Sequence, residues 1–231
     1  MYPPQLNPEP DSTLTPDLTS LEAEPLTPEL ETALVEVARC ADILQHSMPR
    51  IYDSHDQRLI EFQDALKVAF PNTDKLEWYT NINPTVDPSN SQNAKEKVDL
   101  IYRYKTSQVP IIYVEVKLEP GLGGDPFWQN GRLYRMYIQR DPEASRNGAP
   151  VFFIQLSGMP IILTFTFLCF TYSFPGIYMG IAGAFCDAVD KPPIILPIGG
   201  YVALQFDYLG RNWRETFHTL WALRQAIKFI K

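Results

Sequence analysis

Three polar residues in two short apolar segments have the types and spacing that metal-assisted chemistry requires. Asp99 lies in KVDLIYRYK, and Glu115 and Lys117 lie in VPIIYVEVKLEP. The two segments are typical of strands joined by a short turn, and in an antiparallel hairpin the start of the first strand meets the end of the second. Because side chains alternate along a strand, Glu115 and Lys117 share one face, opposite Val116. Two carboxylates and an ammonium on an apolar hairpin are costly unless they pair with one another or hold a metal.

These groups define a specific chemistry. Carboxylate oxygens are hard ligands that suit Mg²⁺ or Mn²⁺. The ammonium of Lys117 could orient or deprotonate a water molecule, or stabilise charge on a phosphate. The alternative interpretation is an edge strand whose charged side chains face water, because Glu-x-Lys is common on solvated strands.

The pattern Asp-x(n)-Glu-x-Lys across a hairpin resembles the PD-(D/E)xK nuclease superfamily, which has the restriction-endonuclease fold. The resemblance implies that Asp99 and Glu115 hold Mg²⁺ or Mn²⁺ and that Lys117 assists hydrolysis of a phosphodiester. The chain departs from the family pattern at Val98, where a proline would precede the aspartate.

A helix is predicted directly after the second strand. The glycines of GLGGD break the strand, Asp125 is a suitable N-cap, and the helix then covers about 126–139. The stretch GGDP…Q…Y is similar to fungal members of the superfamily associated with Crinkler-type or kinase-like proteins. By that resemblance Gln129 is a site residue, whereas the alternative is a solvated polar position on the helix.

The segment before the hairpin also predicts a helix. SHDQRLIEFQDALKVAF has apolar residues at helical spacing, and Ser54 can cap it. The resemblance implies that this helix adds a further metal-binding carboxylate, and Asp56, at the border of the apolar stripe, is favoured over Glu61. The alternative is that Asp56 is an ordinary first-turn acid that interacts with the helix dipole.

The order of elements predicts the fold. A strand at Leu76–Ile82, a loop at 83–93, the hairpin, the helix and a strand at 151–156 indicate an α/β protein with a restriction-endonuclease-like core, a central mixed sheet flanked by helices. Extra helices are predicted at both termini. The first covers about 28–45, is capped by Thr27 and is expected to pack as an outer helix, and the last lies in GRNWRETFHTLWALRQAIKFIK and is capped by Asn212.

Charge is distributed unevenly along the chain. The net charge is −7, but residues 1–31 hold seven acids and no Lys or Arg, so the other 200 residues carry 20 acids and 20 bases. We predict an acidic, Pro-rich disordered tail at 1–26 and one nuclease-like domain at 27–231. The region 95–140 has eight bases and five acids. This small surplus supports a nucleic-acid partner only weakly, and a protein partner is a further option.

Residues 147–186 contain no Asp, Glu, Lys or Arg. One interpretation is a membrane span, but the apolar run between Pro160 and Pro175 is only 14 residues long and its composition favours strands. The chain is therefore expected not to span a membrane. A second interpretation is two buried strands at 161–170 and 177–185. A third is a retained intron at 159–175, whose removal would leave VFFIQLSGIYMGIAGAFCD.

Other chemistries lack a pattern. The three cysteines have no metal-ligand spacing, there is no phosphate-binding loop, and His55 is interpreted as a solvated residue at a helix start. The N-terminus has no secretory signal pattern, which predicts an intracellular protein, nuclear or cytoplasmic. The predicted function is metal-dependent phosphodiester hydrolysis on nucleic acid, and the alternative is a catalytically inactive nuclease-fold binding or effector module.

Overall fold

The structure is a computed structural model that describes residues 26–50, 52–82, 98–117, 126–140, 150–158, 177–185, 194–205 and 207–230. Its four described helices are α1 (Pro28–Ser47), α2 (His55–Ala69), α3 (Pro126–Arg140) and α4 (Arg211–Phe229). Its strands are β1 (Leu76–Ile82), β2 (Val98–Tyr104), β3 (Pro110–Lys117), β4 (Val151–Gly158), β5 (Ile177–Phe185), β6 (Ile194–Pro197) and β7 (Val202–Ala203).

The strands form one mixed seven-stranded sheet in the order β1-β2-β3-β4-β5-β6, and β7 also pairs with β5. Only the β3–β4 pair is parallel among the described strands. A parallel pair needs a crossover connection, and α3 lies in the connection between these two strands. The predicted α/β class, with a central mixed sheet flanked by helices, is confirmed.

The sheet separates two apolar cores. Side chains of α1, α2 and α4 cover one face, where they meet Val114 and Val116 of β3 and Leu156 of β4. Helix α3 covers the other face, where it meets Tyr113 and Phe153. Strand β3 is therefore buried on both sides, which explains why its sequence is a nearly continuous apolar run.

Two of the predicted helix caps are confirmed. The Thr27 hydroxyl accepts a hydrogen bond from the backbone N–H of Leu30, and the Ser54 hydroxyl accepts one from that of Gln57. Each cap satisfies one of the N–H groups that have no partner within the helix. Helices α1 and α2 therefore begin where the sequence indicated.

The predicted cap of the last helix is wrong. Helix α4 begins at Arg211, and Gly210 before it has a left-handed backbone with φ of 63°. The carboxylate of Asp207 accepts hydrogen bonds from the backbone N–H groups of Arg211 and Asn212. The side chain of Asn212 instead donates to the carbonyl of Gln205. The Asp207 carboxylate in the preceding loop therefore caps α4, in place of the Asn212 side chain.

Helix α1 is more central than expected of an outer helix. Its residues Val37, Cys40, Ala41 and Leu44 are fully buried, and it contacts both α2 and α4. The fully buried residues of α1 therefore lie in its middle and C-terminal turns. The apolar side of helix α4 packs on the same core.

Several predictions fall on residues outside the described ranges. They are the tail at 1–26 apart from its last residue, the loop at 83–93, the glycines of GLGGD with Asp125, the strand at 161–170 and the retained-intron segment at 159–175. The predicted strand at 177–185 is present as β5, antiparallel to β4. None of the four described helices has the length and apolar composition required to cross a membrane.

Candidate functional site

The β2–β3 hairpin brings the predicted carboxylates together. The two strands are antiparallel, and Leu100 of β2 pairs with Val114 of β3. In this register Asp99 and Glu115 occupy the next position along the ladder and lie opposite each other. The predicted meeting of the start of the first strand with the end of the second is confirmed.

Asp99 is fixed in place by the backbone of the neighbouring strand. Its Oδ2 atom accepts a hydrogen bond of 2.8 Å from the N–H of Val116, and the same oxygen lies 3.4 Å from Nε2 of His55. Burial raises the pKa of Asp99, while the Val116 N–H and His55 act in the opposite direction. This carboxylate is therefore oriented before any ligand arrives.

Glu115 is the most deeply buried charged side chain of the site, with only 2% of its side-chain surface exposed. Its Oε1 atom lies 2.5 Å from Nζ of Lys117, whereas its Oε2 atom is buried and has no hydrogen-bond partner among the described residues. Burial and the nearby Asp99 carboxylate raise the pKa of Glu115 to about 7, against the influence of Lys117. One oxygen of this carboxylate is thus available to a cation or a donor.

Lys117 connects the hairpin to helix α3. Its ammonium pairs with Glu115 and donates a hydrogen bond of 3.1 Å to Oε1 of Gln129, which lies near the start of α3. An ammonium has three hydrogens, and these contacts use two of them. The structure therefore brings Gln129 to the hairpin through Lys117, and a functional role for Gln129 stays a prediction.

His55 is a site residue that sequence reasoning missed. It is the first residue of α2, only 35% of its side chain is exposed, and its Nε2 lies 2.8 Å from the carbonyl oxygen of Val116. Because a carbonyl oxygen only accepts, Nε2 carries a hydrogen, and it faces Asp99 as well. The interpretation of His55 as a solvated residue is wrong.

The sequence did contain a signal for His55. It precedes Leu59 by four residues and Phe62 by seven, and both are buried on the sheet-facing side of α2. At that spacing His55 extends the buried stripe by one turn. A polar residue that continues an apolar stripe at a helix start is therefore a candidate for the site next to it.

Asp56 occupies the rim of the site. Its side chain is 85% exposed, and its Oδ1 atom lies 3.6 Å from Nδ1 of His55. The structure thus joins Asp56 to Asp99 by way of the imidazole. Glu61, which was ranked below it, accepts a hydrogen bond from the hydroxyl of Tyr52. A metal-binding role for Asp56 stays a prediction.

Helix α2 also holds the end of β3. His55 donates to the carbonyl of Val116, and a guanidinium nitrogen of Arg58 lies 3.4 Å from the carbonyl oxygen of Lys117. Arg58 is buried and lies over the ring of Tyr52. The last two carbonyls of β3 therefore have side-chain donors from α2, which fixes the strand where it carries its functional groups.

The neighbouring strand β4 adds a second pair of polar residues. Gln155 is in register with Glu115, and Ser157 is in register with Lys117. The Gln155 amide donates a hydrogen bond of 2.8 Å to the Ser157 hydroxyl and accepts one of 3.2 Å from the hydroxyl of Tyr201. Sequence reasoning missed this pair, although two polar residues at alternate positions of VFFIQLSG mark a polar patch on one face.

The donor set fits a small hard cation. Asp99 and Glu115 supply carboxylate oxygens, and the orphaned Oε2 of Glu115 is the buried atom that a cation would satisfy. Within the described ranges, no three His, Cys, Asp or Glu side chains are grouped so that they could hold a metal. Mg²⁺ suits a two-carboxylate site, because it usually keeps several waters and takes further ligands from substrate phosphates.

Comparison with known proteins adds no relative. No protein-family model matches the chain, and no curated protein or solved structure matches it.

Proposed function

We propose that this protein is a Mg²⁺- or Mn²⁺-dependent phosphodiester hydrolase that acts on nucleic acid, with a restriction-endonuclease-like core. The observation that carries the proposal is the buried Glu115 carboxylate, which faces Asp99 across the hairpin, pairs with Lys117 through one oxygen and leaves the other oxygen without a partner. Such a pair of carboxylates is costly to bury, and a divalent cation offsets that cost.

The order of elements supports the finer fold proposal. Helix α2 is followed by three antiparallel strands, then by α3 and by β4, which is parallel to β3. This is the succession of helix, strands, helix and strand on which the resemblance to the PD-(D/E)xK superfamily depends. Glu115 and Lys117 lie at the C-terminal end of β3, opposite Asp99 of β2.

Each side chain has a distinct role in the proposed reaction. Asp99 and Glu115 would hold the cation, which when bound supplies a Lewis acid and lowers the pKa of a water molecule. Lys117, kept in position by Gln129, stabilises negative charge on the phosphate or orients the attacking water. His55 orients Asp99.

The charge of the chain is consistent with recognition at the site rather than along a basic surface. Beyond residue 31 acids and bases are equal in number. Affinity for nucleic acid would then come from the bound cation and a few phosphate contacts, so we expect weak binding without the metal.

The test is a plasmid-nicking assay with Mg²⁺ or Mn²⁺ that compares the wild-type protein with Asp99→Ala and Lys117→Ala. We expect both variants to lose activity by about 100-fold or more, because each removes a group that holds or assists the reacting atoms. Asp64→Ala is the matched control, since Asp64 is an exposed carboxylate on α2 that pairs with Lys67. It should keep wild-type activity.

The outcomes separate the candidates. Wild-type activity in both site variants would reject the proposed site. A wild-type protein that folds but does not nick with either metal would favour the second candidate, a catalytically inactive nuclease-fold binding module. That candidate is supported by the ion pair of Lys117 with Glu115, which neutralises a buried carboxylate without a metal.

A further inference from the structure

Strand β4 places Ser157 next to Lys117 in the sheet. Ser157 and Lys117 are partners in the parallel β3–β4 ladder, and residues paired across neighbouring strands extend their side chains from the same face of the sheet. Only 7% of Ser157 is exposed. A hydroxyl in so apolar a strand needs a hydrogen-bonding role.

The hydrogen bonds of β4 show which part of that hydroxyl is free. The side-chain nitrogen Nε2 of Gln155 donates to the Ser157 hydroxyl oxygen, while the Tyr201 hydroxyl donates to the side-chain oxygen Oε1 of Gln155. Ser157 therefore acts as an acceptor in this chain of bonds. Its own hydrogen makes no hydrogen bond within the described part of the molecule, so it remains available to a ligand.

Lys117 supplies a second donor of the same kind. Two of its three hydrogens are directed to Glu115 and Gln129. The third hydrogen and the hydroxyl hydrogen of Ser157 thus come from adjacent strands at the same level of one face. Two donors at the same level of one face, one of them charged, suit an oxygen that carries negative charge and accepts several hydrogen bonds.

We propose that Ser157 and Lys117 form an oxyanion subsite that binds a non-bridging oxygen of a phosphate group. Ser157 contacts the phosphate, and Gln155 and Tyr201 are positioning residues that keep its hydroxyl turned toward it. That the phosphate belongs to a phosphodiester rests on the proposed function, whereas binding of the oxyanion itself does not.

The first experiment measures phosphate binding by the full chain, with inorganic phosphate titrated in the presence of Mg²⁺ and followed by NMR chemical shifts. We expect Ser157→Ala to raise the Kd about tenfold, because one hydrogen bond to a charged oxygen is lost. Ser157→Thr, which keeps the hydroxyl, should stay within about threefold of wild type. Ser107→Ala is the matched control, since Ser107 lies in the exposed turn between β2 and β3.

Two results would overturn the subsite. One is a folded wild-type protein that does not bind phosphate, and the other is an unchanged Kd in Ser157→Ala. Thermal unfolding of each variant shows whether the fold is kept. Should the alanine variant unfold, Ser157→Cys fills nearly the same volume with a much weaker donor and is expected to raise the Kd in the same way.

The nicking assay distinguishes failure of the subsite from failure of the proposed function. If both hold, Ser157→Ala raises KM about tenfold and changes kcat by less than about threefold, because the phosphate contact is made in the ground state as well as the transition state. Phosphate binding that depends on Ser157 in a protein that never nicks DNA would reject the nuclease and keep the subsite. Nicking that requires Asp99 but is unchanged in Ser157→Ala would reject the subsite and keep the nuclease proposal.

Discussion

Near the C-terminal ends of strands β3 and β4, the two faces of the sheet differ in polarity. Toward α1, α2 and α4 the strands present Val114, Val116 and Leu156, all fully buried among apolar side chains. Toward α3 the same strands present Tyr113 and Phe153 to the second core and then, one position further along this face, Glu115 and Gln155, which are nearly buried but polar. The first face is therefore apolar throughout this part of the strands and contributes hydrophobic burial, whereas the second also holds groups that are costly to bury unless they bind a partner or a ligand.

The strongest way to sharpen this comparison is to change one residue on each face. Leu156→Ala should lower the free energy of unfolding by about 2–5 kcal/mol, because it leaves a cavity in the larger core. Its activity per folded molecule should stay within about threefold of wild type. Chemical denaturation and the nicking assay, both run below the unfolding temperature, measure the two quantities.

Glu115→Gln is the counterpart on the α3 face. It keeps the shape of the side chain but removes a metal-binding charge, so activity should fall by about 100-fold or more. Above pH 7 stability should be unchanged or higher, since the raised pKa of Glu115 indicates that its surroundings disfavour the charged form even with Lys117 beside it. A Glu115→Gln variant that is active, or a Leu156→Ala variant that folds normally but is inactive, would break the comparison.

The pH dependence of stability gives the next largest effect. The pKa of Glu115 is raised from an ordinary value of 4.5 to about 7, so the folded state binds the proton more tightly than the unfolded state. Protonated Glu115 therefore stabilises the folded state, and this contribution is complete below pH 4.5 and is lost as the pH rises to about 7 and above. For the metal-free protein, the free energy of unfolding falls by at most about 3 kcal/mol over this range. Burial of Asp99 acts in the same direction.

Chemical denaturation of the wild-type protein and of Glu115→Gln from pH 4 to pH 8 isolates the contribution of Glu115 protonation to the free energy of unfolding. The difference in stability between the two proteins should change across the window, because only wild type carries the titrating carboxyl group. Mg²⁺ competes with the proton and should move the change to lower pH. A difference that is constant from pH 4 to pH 8 would show that burial does not raise the pKa of Glu115.

The smallest expected effect concerns the support of Lys117. Gln129→Ala removes one acceptor from the ammonium but leaves its pairing with Glu115, so activity should fall by about three- to tenfold with little change in stability. Gln57→Ala, which changes an exposed glutamine on α2, is the matched control. A loss as large as that of Lys117→Ala would assign Gln129 a direct role in the reaction.

The parts of the molecule that local patterns determine were predictable. Alternation and a short connection predicted the β2–β3 hairpin, and with it the meeting of Asp99 and Glu115. The caps Thr27 and Ser54 followed from the same kind of evidence, because each acts within three residues.

Features that depend on distant segments were not predictable in the same way. The register of β4 against β3, which places Ser157 beside Lys117, follows a crossover through α3 that no local pattern encodes. The cap of α4 was assigned to Asn212 because local rules favour the nearest polar residue, whereas the loop returns Asp207 to the helix start. The involvement of His55 was predictable from the sequence, since its spacing to Leu59 continues the buried stripe of α2.

The attachment of β3 to α2 makes the geometry of the candidate site sensitive to packing inside the helical layer. His55 and Arg58 tie the last carbonyls of the strand to the first turns of the helix, and α2 packs against α1. A tilt of α2 would move the His55 imidazole away from Asp99 and would at the same time weaken the contacts that hold the end of β3. Changes at buried positions of α1 such as Cys40 are therefore expected to misalign the two carboxylates and to lower the proposed activity in a protein that stays folded.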